Sequence, residues 1–166
     1  MKSYSKHATF YQTALLLGLV TGESVVAWAD HVLASDPDAP PAFVDLSITP
    51  PDQLSAMRHV LRRMAEATER PSTVRAVLDL VHRDLASGRR SPADTMRVIA
   101  HIRRELPLPV PIESELDTFE DDHMLAIAGV AGETGPIETR LRTWLAQFEG
   151  EYETLAEGKV PLREVS

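Results

Sequence analysis

Glu120 and His123 stand one helical turn apart, and a carboxylate and an imidazole at that Glu-x-x-His spacing can reach one metal ion together. A di-metal carboxylate centre also needs a second such pair and two more glutamates on facing helices. Glu105, Glu113 and Glu115 are the carboxylates on offer, and no second Glu-x-x-His occurs in the chain. His123 also falls on an apolar stripe, so the plainer expectation is a buried or half-buried imidazole hydrogen-bonded to a neighbour. Asp117, Glu120, Asp121 and Asp122 form an acid cluster that could stage general acid–base work. No nucleophile accompanies it, and Glu120, Asp121 and Asp122 are successive residues that project in different directions along a helix, as a solvated face does. The glycine and closing glutamate of a calcium loop are absent.

Val81-His82-Arg83-Asp84-Leu85 resembles the catalytic loop of protein kinases, in which the aspartate orients the substrate hydroxyl. The resemblance covers five residues and then fails. Arg89 stands where the metal-binding asparagine belongs, neither a Gly-rich phosphate loop nor Asp-Phe-Gly is present, and the string lies inside a periodic helix. Ser24, Ser47 and Ser91 lack the glycine setting of a hydrolase elbow, and the glycine-rich residues 129–135 carry no lysine for a phosphate. Without cysteine there is no thiol nucleophile, thiolate site or disulfide. No complete catalytic motif emerges and no cofactor is implied.

Charge is segregated along the chain. Residues 58–104 hold eleven arginines against five acids, whereas residues 105–166 hold four basic and fourteen acidic side chains. The net charge of -8 disfavours nucleic acid, whose affinity comes from neutralising phosphates with Lys and Arg. Two readings follow: basic and acidic helices pack side by side and screen each other, or one face serves a partner of opposite sign. Arg89, Arg90 and Arg97 are the basic candidates for such a face, and Asp117, Asp121 and Asp122 the acidic ones.

The elements that must position these residues read as helix after helix. Residues 5–17 place Phe10, Ala14 and Leu17 on one face before Gly18. Thr21 can cap a second helix striped by Val25, Trp28, Ala29 and Val32, the two making a hairpin. Residues 36–41 are a proline-rich loop, and residues 43–48 are too few to assign. Thr49-Pro50-Pro51-Asp52 predicts a helix start before Leu54, Met57, Leu61 and Met64. Val74, Val77, Leu78, Val81 and Leu85 make the strongest stripe, ended by Ser87-Gly88. Ser91 and Pro92 then open a helix carrying Met96, Ile99 and Ile102, until Pro107, Pro109 and Pro111 interrupt it. Ile112, Leu116, Phe119, His123 and Ile127 form the next stripe. Pro136 opens the last, running through Ile137, Leu141, Trp144, Leu145, Phe148, Tyr152 and Leu155, with Gly150 ending or kinking it. Trp28 and Trp144 are expected in the core.

Gly18-Leu19-Val20-Thr21 and Gly88-Arg89-Arg90-Ser91 echo each other at an offset of 70, as do His31 and His101. A 35-residue helix-pair repeat would give that spacing, and so would two helix ends that share capping chemistry.

Lys2, Lys6, the apolar run from Ala14 to Val20 and Ala27-Trp28-Ala29 imitate a signal peptide only superficially, because Thr21-Gly22-Glu23-Ser24 interrupts the run. No stretch reaches the apolar length of a membrane span. The expectation is therefore an all-α, acidic, cysteine-free bacterial cytoplasmic domain. Six to seven helices form a compact bundle or a short array of antiparallel helix hairpins, with little or no sheet. Its segments are an N-terminal helix hairpin (2–35), a Pro-rich connection (36–48), Arg-rich central helices (49–106), an acidic C-terminal helix pair (111–157) and a tail (158–166). The functional expectation is a non-catalytic protein–protein interaction module, an adaptor or an antitoxin or immunity type of binder, with a protein partner and no membrane. The alternatives are a di-metal bundle enzyme or storage protein built on Glu120 and His123, and a helix-turn-helix DNA binder using Arg89, Arg90 and Arg97.

Overall fold

The computed structural model describes residues 4–65 and 70–155. Lys2 and the expected tail of residues 158–166 lie outside them. The described residues are all-helical and contain no strand. They hold nine helical segments, against the six or seven that periodicity predicts. The additions are the seven-residue α3 (Ala42–Ile48) and the five-residue α9 (Glu151–Leu155), both too short to show a helical period. Two compact units result, residues 70–152 forming the second.

In the first unit α1 (Ser5–Leu16) packs on α4 (Leu54–Met64), α2 (Gly22–Ser35) packs on α3, and α3 meets α4. Trp28 is buried at the meeting of α1, α2 and α3. Its ring stacks on Tyr11 at 4.7 Å and meets Phe43 edge-on at 4.9 Å, with His7 stacked at 6.1 Å. Such offset and edge-on pairs place the positive rim of one ring on the negative face of another. Tyr4 completes the cluster against Phe43, and its hydroxyl donates to Asp36 at 2.5 Å. Burial first, then the hydrogen bond to Asp36 and its charge, push the Tyr4 hydroxyl up to about 12.

Thr21 caps α2 as its sequence position predicts, accepting from the Ser24 amide at 3.4 Å. The Thr49-Pro50-Pro51-Asp52 start does not hold. Pro51 disfavours helical conformation at Pro50, the segment turns with Gln53 N donating to Pro50 O at 2.9 Å, and α4 begins at Leu54.

In the second unit α5 (Arg70–Ala86) packs on α8 (Thr134–Ala146) and on α6 (Pro92–Glu105), and α7 (Val110–Ile127) packs on both α6 and α8. Val74, Val77, Leu78, Val81 and Leu85 are buried as their spacing predicts. Ser91 caps α6, accepting from the Asp94 amide at 3.1 Å while its hydroxyl donates to the Asp94 carboxylate. The last helix starts two residues before Pro136, which its first turn tolerates because those amides have no intrahelical acceptor. It ends at Ala146, four residues before Gly150 (φ 89°), and the chain restarts as α9 directly after that glycine.

The echo at offset 70 has a local cause. Gly18 and Gly88 both take positive φ, 68° and 75°, and each donates to the carbonyl three residues back, closing its helix. Gly129 does the same at φ 68°, at an offset from Gly18 that is no multiple of 35. A shared way of ending helices therefore produces the similarity without requiring a repeat.

Candidate protein-binding surface

α7 is the element that carries most of the residues singled out by chemistry. Ile112, Leu116 and Phe119 are buried where α7 packs on α6 and α8, and Ile137, Leu141 and Leu145 of α8 are buried in turn. Phe119 and Trp144 meet at 5.7 Å between ring centroids. On the flanks the charges of neighbouring helices interlock. Arg103 of α6 reaches both Asp117, at 2.5 Å, and Glu120 of α7. Arg140 of α8 pairs with Asp122 at 2.7 Å and lies 5.3 Å over the Phe119 ring. The hydrogen bond to Glu120, opposed by desolvation and helped by the charges of Asp117 and Glu120, raises the Arg103 pKa and fixes it as a cation.

This pairing places the metal candidates. Glu120 is engaged by a guanidinium, and the carboxylates around it are not drawn into a cage. Among the described residues no group of three or more His, Asp or Glu side chains could hold a metal ion. His123, expected to be buried or half-buried, is half-buried, and its Nδ1 is buried without the hydrogen-bonding neighbour expected for it. Asp117 and Asp122 are tied to arginines within the unit, whereas Asp121 points outward and is exposed.

The basic candidates are also turned on local acids. Arg90 Nη2 lies 3.4 Å and Arg89 Nε 3.7 Å from the carboxylate of Asp84, at the end of α5. Arg97 pairs with Asp94 one turn back while remaining exposed. Asp84, the aspartate of the kinase-like string, thus sits within a helix and gathers the two arginines that follow it.

What remains open at the end of α7 is apolar. Met124 is 62%, Leu125 43%, Ile127 63% and Val130 71% exposed. Ile127 was expected on the buried stripe. It is outside because full burial on α7 ends with Phe119 and half-burial with Ala126, and residues 127–136 are exposed throughout. The turn is well made: Gly129 N donates to Ala126 O at 3.1 Å and Val130 N to Leu125 O at 3.0 Å, the two bonds of a Schellman end, which bring Val130 back beside Leu125.

Comparison with protein-family models, curated proteins and solved structures finds no match.

Met124, Leu125 and Val130 are the residues that sequence periodicity passes over. The signal was present. Leu125 falls on the side of α7 away from Leu116 and Phe119, and Met124 at the edge of the stripe beside Ile127, so the last turn is apolar on more faces than one core can use. A second, smaller exposed group is Val44, Ile48 and Leu54 in the first unit.

Proposed function

We propose that this chain is a non-catalytic helical protein-interaction module, a scaffold of packed helix pairs whose partner docks on the outer end of α7. The observation that carries this reading is the exposure of four large apolar side chains, Met124, Leu125, Ile127 and Val130, within seven consecutive positions. Scattered exposed apolar residues are ordinary on a protein surface, but a contiguous group marks a contact site. The charged candidates add weight from the other direction. Arg89, Arg90, Arg97, Asp117 and Asp122 each have a partner of opposite sign within the unit, which leaves the apolar group as the more open feature. The metal-binding alternative rests on the unpartnered Nδ1 of His123, and it is the weaker reading because Arg103 already holds Glu120.

Affinity capture on the tagged full chain from host lysate tests the proposal. A single dominant protein is expected on the wild type and on Arg89→Glu/Arg90→Glu, and its loss on Ile127→Asp/Val130→Asp. Retention by the apolar variant with loss on the arginine variant would move the interface to the basic helices. Stoichiometric bound metal with no enriched protein would replace the reading by the metal alternative.

A further inference from the structure

The chemistry of the partner can be read from what surrounds the apolar end of α7. Residues 105–139 contain nine acids and neither lysine nor arginine, so the exposed apolar group lies in a zone of one sign. Of the basic residues beside this zone, Arg103 and Arg140 are already committed to Asp117, Glu120 and Asp122, and Arg104 lies in the last turn of α6, before α7 begins. Asp121, one turn before Met124, and Glu133, just past Val130, are exposed and make no ion pair among the described residues. Carboxylates therefore flank the apolar group on both sides.

That pattern selects among occupants. A second copy seated symmetrically would bring two acidic rims together, and an anionic lipid surface would repel the same rim. A strand-like peptide would need an unpaired sheet edge, and the described residues contain no strand. Recognition must run through side chains on a helical ridge, where Met124 and Ile127 lie three residues apart on one face. The complement is another helix, apolar along one face and bearing Lys or Arg at its edges. We infer that the outer end of α7 binds a basic amphipathic helix of a partner protein, the apolar face of that helix covering Met124, Ile127 and Val130 and its cations meeting Asp121 and Glu133. This rests on the interaction-module reading and assigns that module its ligand class.

The test uses the full chain and a fluorescent synthetic helix of Leu and Lys, with leucines at helical spacing, followed by anisotropy. Its controls are the same helix with Glu for Lys and one with the leucines scrambled out of period. The basic amphipathic helix is expected to bind at least about tenfold more tightly than either control, since one lost anchor or one reversed charge set is worth roughly that factor. Ile127→Asp/Val130→Asp is expected to remove about tenfold of the affinity, and Asp121→Lys/Glu133→Lys to weaken binding and flatten its salt dependence. Circular dichroism melts matching the wild type confirm that both variants fold. Equal binding of the acidic helix, or binding of the basic helix that ignores Ile127→Asp/Val130→Asp, overturns the inference. So does dimerisation in sedimentation, or adsorption to phosphatidylcholine vesicles, that the apolar variant abolishes. The two proposals fail separately. A native partner captured through Ile127 and Val130 that the basic helix does not displace leaves the module standing and removes the ligand class, whereas no captured partner removes the module itself.

Discussion

The carboxylate of Asp79 accepts a hydrogen bond from the backbone amide of Tyr152, 3.0 Å away and 73 positions along the chain. Asp79 is fully buried, and Arg83 grips both its oxygens at 3.0 and 3.1 Å while its guanidinium lies 5.6 Å from the Tyr152 ring centroid. An ionised carboxylate survives burial only when charge and lone pairs are both answered. Here Arg83 answers the charge, and the Tyr152 amide in the first turn of α9, where amides have no intrahelical acceptor, takes a lone pair. Asp79 therefore sets where the last helix begins.

Replacing Asp79 by Ala leaves both Arg83 and the Tyr152 amide without this partner. The expected cost is about 3 kcal/mol, at the low end for a broken buried pair because Arg83 is about a third open to water. Asp79→Asn keeps an acceptor for Tyr152 and is expected to cost about half as much. Urea midpoints measure both, and a loss below about 1 kcal/mol for the Ala variant would show that the network does not hold α9.

Gly22 opens α2, where alanine is ordinarily the better helix former. A Cβ there would stand 1.9 Å from the Pro51 carbonyl oxygen and 2.7 Å from its carbon. Gly22→Ala is thus expected to destabilise by about 1–3 kcal/mol, as overpacking against backbone does. Gly135→Ala, in the first turn of α8 with nothing within 4 Å of the added carbon beyond its chain neighbours, is the control; its place before Pro136 offsets the entropic gain of alanine, and it is expected to change stability by less than about 0.5 kcal/mol. Thermal melts in which Gly22→Ala alone is clearly destabilised would confirm the contact between α2 and the turn before α4.

His7 is stacked on Trp28, and burial, then the charge of Lys6, lowers its pKa below 6.5. The folded chain holds the imidazole neutral where the unfolded chain protonates it. Between the lowered value and 6.5 the unfolded state binds more protons, so stability falls as the pH drops through that window and does not change on this account above it. Urea midpoints at about pH 7.5 and about pH 5.5 should differ less in His7→Phe than in the wild type. An unchanged difference would assign the acid sensitivity to other groups.

The apolar end of α7 carries no stability if it is a docking surface. Ile127→Asp/Val130→Asp should keep the melting temperature within the shift produced by about 0.5 kcal/mol, the range of substitutions outside any packed contact. A loss of several degrees would mean that these side chains are covered within the chain.

Much of the architecture was legible in the order of residues because it is governed by local physics. The apolar period of Val74, Val77, Leu78, Val81 and Leu85, the Ser91 cap before Pro92, and the glycines that end α1 and α5 each act within one or two turns of helix. They placed α1, α2, α5 and α6 closely, and the all-helical class with them. What periodicity missed depends on contacts distant in sequence. Only the fold joins Arg103 to Asp117 and Glu120, turning a metal-like pair into an ion pair between helices. Only the fold buries Asp79 beneath Tyr152 and presses Gly22 onto Pro51. The apolar character of residues 124–130 was written in the sequence, but its exposure was decided by where packing on α7 stops. A helix wheel records which residues share a face, and the tertiary structure determines how far along the helix that face finds something to cover it.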